Sequence, residues 1–430
     1  MSLKRAASLG AVQTAVSMAA GFLSVKVTSV FLGPAGLGLL GQLQYFIAMS
    51  QTTLTSGLNT GVIRRTAEHG VGSERREVAI ATAWRLLMFV GIPVAALIAL
   101  ASGWVAEQLL HDGTLRTPVL VFAVTYVFGL VATLITGSAN GAKDYRSTAT
   151  INIATVLSSL ALYALLCPTL GVLGGLMAAA VAPAFTLLVA KLVARRKVWW
   201  PQRPWGRPFS PPEARALASF VPMAAVGALA LPLVQILVRD ELARHAGMTA
   251  VGWLHGVNRI SDIYVGLATS VLGMYYLPRF SEIRRAAELR HELLRALAVL
   301  VPGVALTAAA VYLLRDPIIR LLLTPEFLPM RDLFGWQMAG SLFKVVAWLF
   351  GVLLMAKAHP LAVTLFELAT YVLWWRLALW WVPEQGAVGA TQAYLTTYVV
   401  YAAVAAVGIV AVMRRLRREE RAGAVEESSS

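Results

Sequence analysis

AGLGLLGQLQYF, residues 35–46, has an echo far along the chain: TAVGWLHGVNRI, residues 249–260, aligns with it at an offset of 214. The same offset lays the apolar run near 82–101 over the run near 296–315. LGVLGG (170–175) meets QGAVGA (385–390) at an offset of 215. Identities are few, but the spacing persists across half the chain. One ancestral unit, written twice, therefore organises the sequence.

The unit is made of membrane spans. Of 430 residues, 58% are hydrophobic and 14% charged, whereas soluble domains carry about 25% charged residues. Runs near the length needed to cross a bilayer, about 20 residues, recur throughout. They fall near 6–32, 37–62, 79–101, 118–136, 149–167, 172–193, 217–238, 251–277, 296–314, 333–356, 361–382 and 388–412. Barrel strands would be shorter and alternating. The first run follows MSLKR, is long for a signal peptide and contains Gln13, Ser17 and Lys26, so it is expected to be retained. The expectation is an all-α polytopic membrane protein of about twelve helices, in two six-helix bundles related by a parallel internal repeat. Such repeats mark transporters whose binding site lies between the halves. The Pro-, Arg- and Trp-rich stretch LVARRKVWWPQRPWGRPFSPPEAR (192–215) separates them. Expected boundaries are 1–193 and 217–413 for the bundles, 194–216 for a cytoplasmic linker and 414–430 for an acidic, serine-rich, disordered tail.

The net charge of +15 is distributed as a membrane protein requires. With the N-terminus cytoplasmic, most Lys and Arg fall on inside segments, in clusters at 64–76, 191–215, 279–295 and 414–421. This positive-inside bias places both termini in the cytoplasm and the basic clusters against anionic lipid, with no role for nucleic acid. Cys167 is the only cysteine, and the six histidines show no metal spacing. No disulfide, metal or cofactor is expected. GLGLLG (36–41) fits GxGxxG but lacks the strand–turn–helix setting of a dinucleotide site.

Polar groups within the spans are the candidate site. Gln44, Gln51, Thr55 and Asn59 share a stripe on the second span. Arg259 and Asp262 stand one turn apart in the eighth, followed by Gly266, Thr269 and Gly273 on the same face. An arginine or aspartate at mid-bilayer costs roughly 2.5–3.5 kcal/mol, whereas a helical ion pair returns only about 0.2–0.5 kcal/mol. Such residues must face another helix, a wet cavity or a charged ligand. Lys26 and Lys344 have apolar residues on both sides, too many for easy snorkelling, and Glu367 is a second embedded acid. Arg85 and Arg376 read as snorkelling residues near an interface.

Several stretches resemble one family: FLGPAGLGLLGQ (31–42), RISDIYVGLATSVLGMYYLPRFSEI (259–283), LLRDPIIRLLL (313–323), FLPMRDLFGWQMAGSLFKVVAWLFGVLLMAKA (327–358) and GAVGATQAYLTTYVVY (386–401). They are similar to the Wzx-type flippases of the multidrug/oligosaccharidyl-lipid/polysaccharide exporter superfamily. The resemblance implies two six-helix bundles around a V-shaped central cavity. It also implies a substrate, an undecaprenyl-pyrophosphate-linked oligosaccharide moved from the cytoplasmic to the periplasmic leaflet of the bacterial inner membrane. An enterobacterial-common-antigen saccharide and an O-antigen unit both remain open as head group. A glycan polymerase and a chain-length regulator are the implied protein partners. On this reading Lys26, Lys344, Arg259, Gln44 and Gln51 bind substrate, and Asp262 and Glu367 couple transport to protons or cations. The rival readings are a drug/cation antiporter of the same superfamily, a multi-span glycosyltransferase or polymerase, and a scaffold for glycan assembly. The cationic cavity disfavours the antiporter, the short external loops disfavour the enzyme, and the polar helix faces disfavour the scaffold.

Overall fold

The computed structural model describes residues 3–201, 203–219, 221–357 and 360–429. Met1, Ser2 and Ser430, at the two expected cytoplasmic ends, lie outside the described residues, as do the side chains of Lys4 and Arg5. The regular structure is all helical, with no strand among the described residues. Long helices run over α1 (Leu3–His69), α2 (Glu74–Leu100), α4 (Arg116–Gly141), α5 (Tyr145–Ala194), α7 (Val221–Val271), α9 (Ala286–Leu313), α11 (Phe334–Lys357) and α12 (Pro360–Ser429). Short helices lie between them: α3 (Ser102–Leu109), α6 (Pro211–Ala218), α8 (Leu277–Glu282) and α10 (Arg315–Leu322). A π-helical turn, Leu272–Tyr276, joins α7 to α8.

Among the described residues, eight helices are long and apolar enough to cross a membrane. Four of these are each broken at one glycine: Gly33 in α1, Gly171 in α5, Gly247 in α7 and Gly386 in α12. Counting each broken helix twice recovers the twelve spans read from the sequence. The repeat reappears in the dihedrals. Gly33 (φ 63°, ψ −175°) matches Gly247 (φ 78°, ψ 170°), and Gly171 (φ 56°, ψ −132°) matches Gly386 (φ 56°, ψ −131°). These backbone conformations belong to glycine, because a Cβ would collide with its own chain.

At Gly171 and Gly386 the break is a reversal. A Cβ at Gly174 would overlap the carbonyl oxygen of Leu166, and one at Gly389 would overlap that of Trp381. Eight residues along an unbroken helix span about 12 Å, so the chain must double back to bring these pairs together. Both turns share the pattern Pro-x-x-Gly-x-x-Gly, at Pro168–Gly171–Gly174 and Pro383–Gly386–Gly389. The first glycine supplies the dihedral, and the second lets the returning helix meet a carbonyl.

The chain divides into two compact units, Met1–Ile236 and Leu237–Ser430. This division falls inside α7, some way past the linker that composition suggests as the boundary. In the first unit the turns of α1 and α5 pack on each other. A Cβ at Gly36 would stand 2.8 Å from Val172 Cγ2, and one at Gly175 would stand 2.6 Å from Leu32 Cδ2. In the second unit a Cβ at Gly386 would stand 3.6 Å from Ala246 Cβ, beside the Gly247 turn. Each unit thus ties its two glycine turns together at one end.

The linker is fastened to the first unit along its length. Lys197 Nζ and Trp199 Nε1 donate to Asp144 Oδ2 at 3.1 and 2.9 Å. Arg85, expected to snorkel, instead donates to the Trp205 carbonyl at 3.0 Å, and Trp84 packs on the Trp205 ring at 5.6 Å. Arg207 pairs with Glu74 and Glu77, and Arg65 with Glu213. The expected disordered tail also differs: α12 stays helical to Ser429. Arg415 pairs with Glu419 at 2.7 Å, and Glu420 Oε1 accepts from the Ala286 N–H at 2.7 Å. That bond satisfies a free donor at the start of α9, so the tail's charges cap a neighbour.

Candidate functional site

The polar stripe of α1 is mostly a packing surface in the first unit. Gln51, Asn59 and Thr66 stand over Gly129, Gly137 and Gly141 of α4, each side chain filling the space a Cβ would need. Small residues of this kind let membrane helices approach closely. Gln44 Nε2 donates to Tyr163 of α5 at 3.0 Å and bridges two helices. Gln51 was expected to bind substrate. Its amide nitrogen is buried against Gly129 and has no hydrogen-bond partner among the described residues. Lys26 is half-buried on the first half of α1, just before the buried Thr28 and Ser29, whose hydroxyls bond back to the Ser24 and Lys26 carbonyls.

The second unit holds four of the sequence candidates. Arg259 and Asp262 are exposed on one turn of α7. Lys344 of α11 is buried, with 6% of its surface accessible. Its ammonium lies 4.8 Å from the centre of the Trp348 ring and 5.7 Å from those of Tyr394 and Tyr398. These ring faces stabilise a desolvated cation by about 2 kcal/mol. Among the described residues it has no carboxylate within ion-pair distance. Glu367 of α12 is half-buried, near enough to Tyr371 and Tyr401 to act on their hydroxyls. Lys344 and Glu367 thus share a tyrosine-lined region between α11 and α12. Arg259 and Asp262 form a separate, open patch.

A buried polar seam joins α7 to α11. Gln337 Nε2 donates to Ser261 Oγ at 3.1 Å, and Tyr264 OH lies 3.2 Å from Met338 Sδ. Ser341 Oγ lies 3.5 Å from Tyr394 OH, linking the seam to the cage of Lys344. Sequence reasoning missed Gln337, Ser341 and Tyr394. The MRDLFGWQMAGSLFK stretch holds two of them at four-residue spacing from each other and one turn before Lys344. It also missed Arg239 and His255, both buried in α7. No group of three or more metal-ligating side chains occurs among the described residues.

The comparisons with known proteins agree with this architecture. Residues 2–284 match the polysaccharide biosynthesis protein family. The chain is 30% identical over 404 residues to a protein named lipid III flippase from Escherichia coli (strain K12), covering 93% of this chain and 96% of that one. The same figures hold for a lipid III flippase of Shigella flexneri. Among solved structures, an inward-facing multidrug resistance MATE family transporter of the MOP superfamily superposes with a TM-score of 0.72 at 14% identity, covering 94% of this chain and 96% of that one. The lipid II flippase MurJ in an inward closed conformation superposes with 0.77 at 9% identity, covering 94% and 89%. The fold is therefore that of these transporters.

Proposed function

The chain belongs to the polysaccharide biosynthesis protein family, and from that premise we propose that it is a flippase for a lipid-linked oligosaccharide. The observation that carries this reading is the 30% identity to lipid III flippases over nearly the whole of both chains. The substrate class is an undecaprenyl-pyrophosphate-linked saccharide, moved from the cytoplasmic to the periplasmic leaflet. Its sugar and pyrophosphate cannot enter hydrocarbon alone, since each unpaired polar group costs several kcal/mol there. The protein replaces that hydration with its own polar groups and keeps the greasy tail in lipid. It does so by alternating access, as a multi-pass protein with both termini cytoplasmic. It transports and makes no covalent bond.

Within this reading, Lys26, Lys344 and Arg259 are the cations for pyrophosphate. Lys344 has three rings around it and, among the described residues, no carboxylate within ion-pair distance, which suits a cation that meets a transient anion. Gln44 contributes an amide, and Gln51 acts only where helices separate. Asp262 and Glu367 bias the two transport states through protons or cations. The test is lipid analysis after depletion in the native cell. Inner-leaflet accumulation of an undecaprenyl-pyrophosphate saccharide is the expected result. Unchanged lipid-linked saccharides together with new drug sensitivity would favour the antiporter and overturn the proposal.

A further inference from the structure

A groove of about 480 Å³ lies wholly within the first unit, where the linker meets α2, α4 and α5. Met88, Val127, Phe128, Val131 and Leu187 form its apolar floor. Trp84, Trp200, Pro204 and Trp205 form a wall supplied largely by the linker. Lys191 and Arg195 complete the rim, one helical turn apart near the end of α5. Both side chains are exposed, and Lys191 has no hydrogen bond or ion pair among the described residues.

The setting indicates what surrounds the groove. Phe89 and Ile92 on α2, Val124 on α4, and Leu188 and Leu192 on α5 are all exposed, apolar and adjacent to lining residues. Such side chains face acyl chains in a membrane-spanning helix. Tryptophan and basic residues mark the headgroup level. The groove therefore leads from headgroup depth down among the acyl chains. It is apolar at the bottom and cationic at the top, the polarity of a lipid with an anionic head.

We propose that this groove binds one anionic phospholipid of the bilayer, with its phosphate at Lys191 and Arg195 and one acyl chain along the floor. Residues one turn apart hold their Cβ atoms about 5–6 Å from each other, so both cations can reach a single phosphate group. The indoles supply a rigid wall and N–H donors at the depth of the ester groups. The bound lipid would glue the linker to α2 and α5, because residues of all three elements line the groove. This role does not depend on which molecule the protein transports.

The test uses the full-length protein purified in detergent and native mass spectrometry. The probes are phosphatidylglycerol and phosphatidylcholine of identical chains. Wild-type protein is expected to retain phosphatidylglycerol over phosphatidylcholine. The double variant Lys191→Glu/Arg195→Glu should lose roughly tenfold or more of that preference. Arg315→Glu/Arg320→Glu, equal in charge but on α10 and outside the basic clusters, should keep it. Equal retention of both lipids by wild type, or an equal loss in both double variants, would overturn the proposal. A second measurement needs no variant. A phosphatidylglycerol carrying a photoreactive acyl chain should crosslink within 84–88, 127–131 or 187, and excess phosphatidylglycerol but not phosphatidylcholine should compete. Crosslinks spread evenly over the exposed apolar helix faces would count equally against it.

Discussion

At the scale of single residues, burial separates candidates that the sequence places on equal terms. Lys344 and Gln51 both look like polar groups stranded in apolar spans. The structure surrounds the first with three rings and lays the second on a glycine. Lys344→Met should therefore lower flipping by about tenfold or more, the worth of a charge-assisted contact, without lowering the melting temperature. Removing a buried charge that lacks an ionic partner is seldom destabilising. A parallel fall in melting temperature and transport would show a merely structural lysine. Gln51→Met should lower transport only modestly and hold or raise the melting temperature, since its orphaned amide nitrogen is removed. Gln44→Leu, by contrast, breaks the bond to Tyr163 and should cost about 0.5–1.5 kcal/mol in unfolding measurements. The sequence made all three visible through their cost in lipid. It could not sort them, because which partner meets a helix face depends on residues far away in the chain, such as Gly129 and Tyr394.

At the scale of elements, the decisive devices are four glycine turns and a fastened linker. The twelve spans were legible from hydropathy, but four of their joints were not, since α1, α5, α7 and α12 each turn on a single glycine instead of a polar loop. The pattern Pro-x-x-Gly-x-x-Gly at 168–174 and 383–389 was the available signal, and its second copy at an offset of 215 made it stronger. Gly171→Ala and Gly386→Ala should each cost about 1–3 kcal/mol, seen as lower melting temperatures in detergent. Gly303→Ala, in open space on α9, should be neutral or slightly stabilising. Equal effects at all three positions would contradict the turn assignment. The linker was legible as a break in composition, but its docking was not, because its ion-pair partners come from loops that folding brings close. Asp144 carries much of that docking. Burial pushes its carboxyl up, but hydrogen bonds from Trp199, Ser147 and Lys197 outweigh this and hold it at about 2. Its folded value lies below the unfolded value of 3.8, so its contribution is full above pH 4 and is lost as the pH falls towards 2. Protease cleavage of the 195–210 stretch should rise across that window, and Asp144→Asn should show raised cleavage already at pH 7 with the acid rise diminished.

At the scale of the whole molecule, transport direction requires an orientation, and charge supplies it. The first unit binds its linker at one end: Glu74, Glu77 and Asp144 hold the linker's Arg207 and Lys197, and Arg65 holds its Glu213. Arg64, Arg65, Arg75, Arg76, Lys143 and Arg146 flank those acids. The positive-inside bias predicts that the end gathering these cations faces the cytoplasm. The opposite end carries the turns at Gly33 and Gly171 and the short segment Gly113–Leu115. Cys167 is buried and is the only cysteine, so Cys167→Ala gives a background in which one new thiol reports one position. In that background Ser73→Cys, between α1 and α2, should react with a membrane-impermeant maleimide only in inside-out vesicles. Gly113→Cys, between α3 and α4, should react only in intact spheroplasts. If the labelling pattern were reversed, a saccharide loaded at the basic end would start from the periplasm, and the proposed direction of flipping would have to be reversed with it. The outcome bears on the repeat as well. The parallel repeat expected from the sequence offset of 214 predicts that Thr324→Cys, between α10 and α11, labels from the side that Gly113→Cys does.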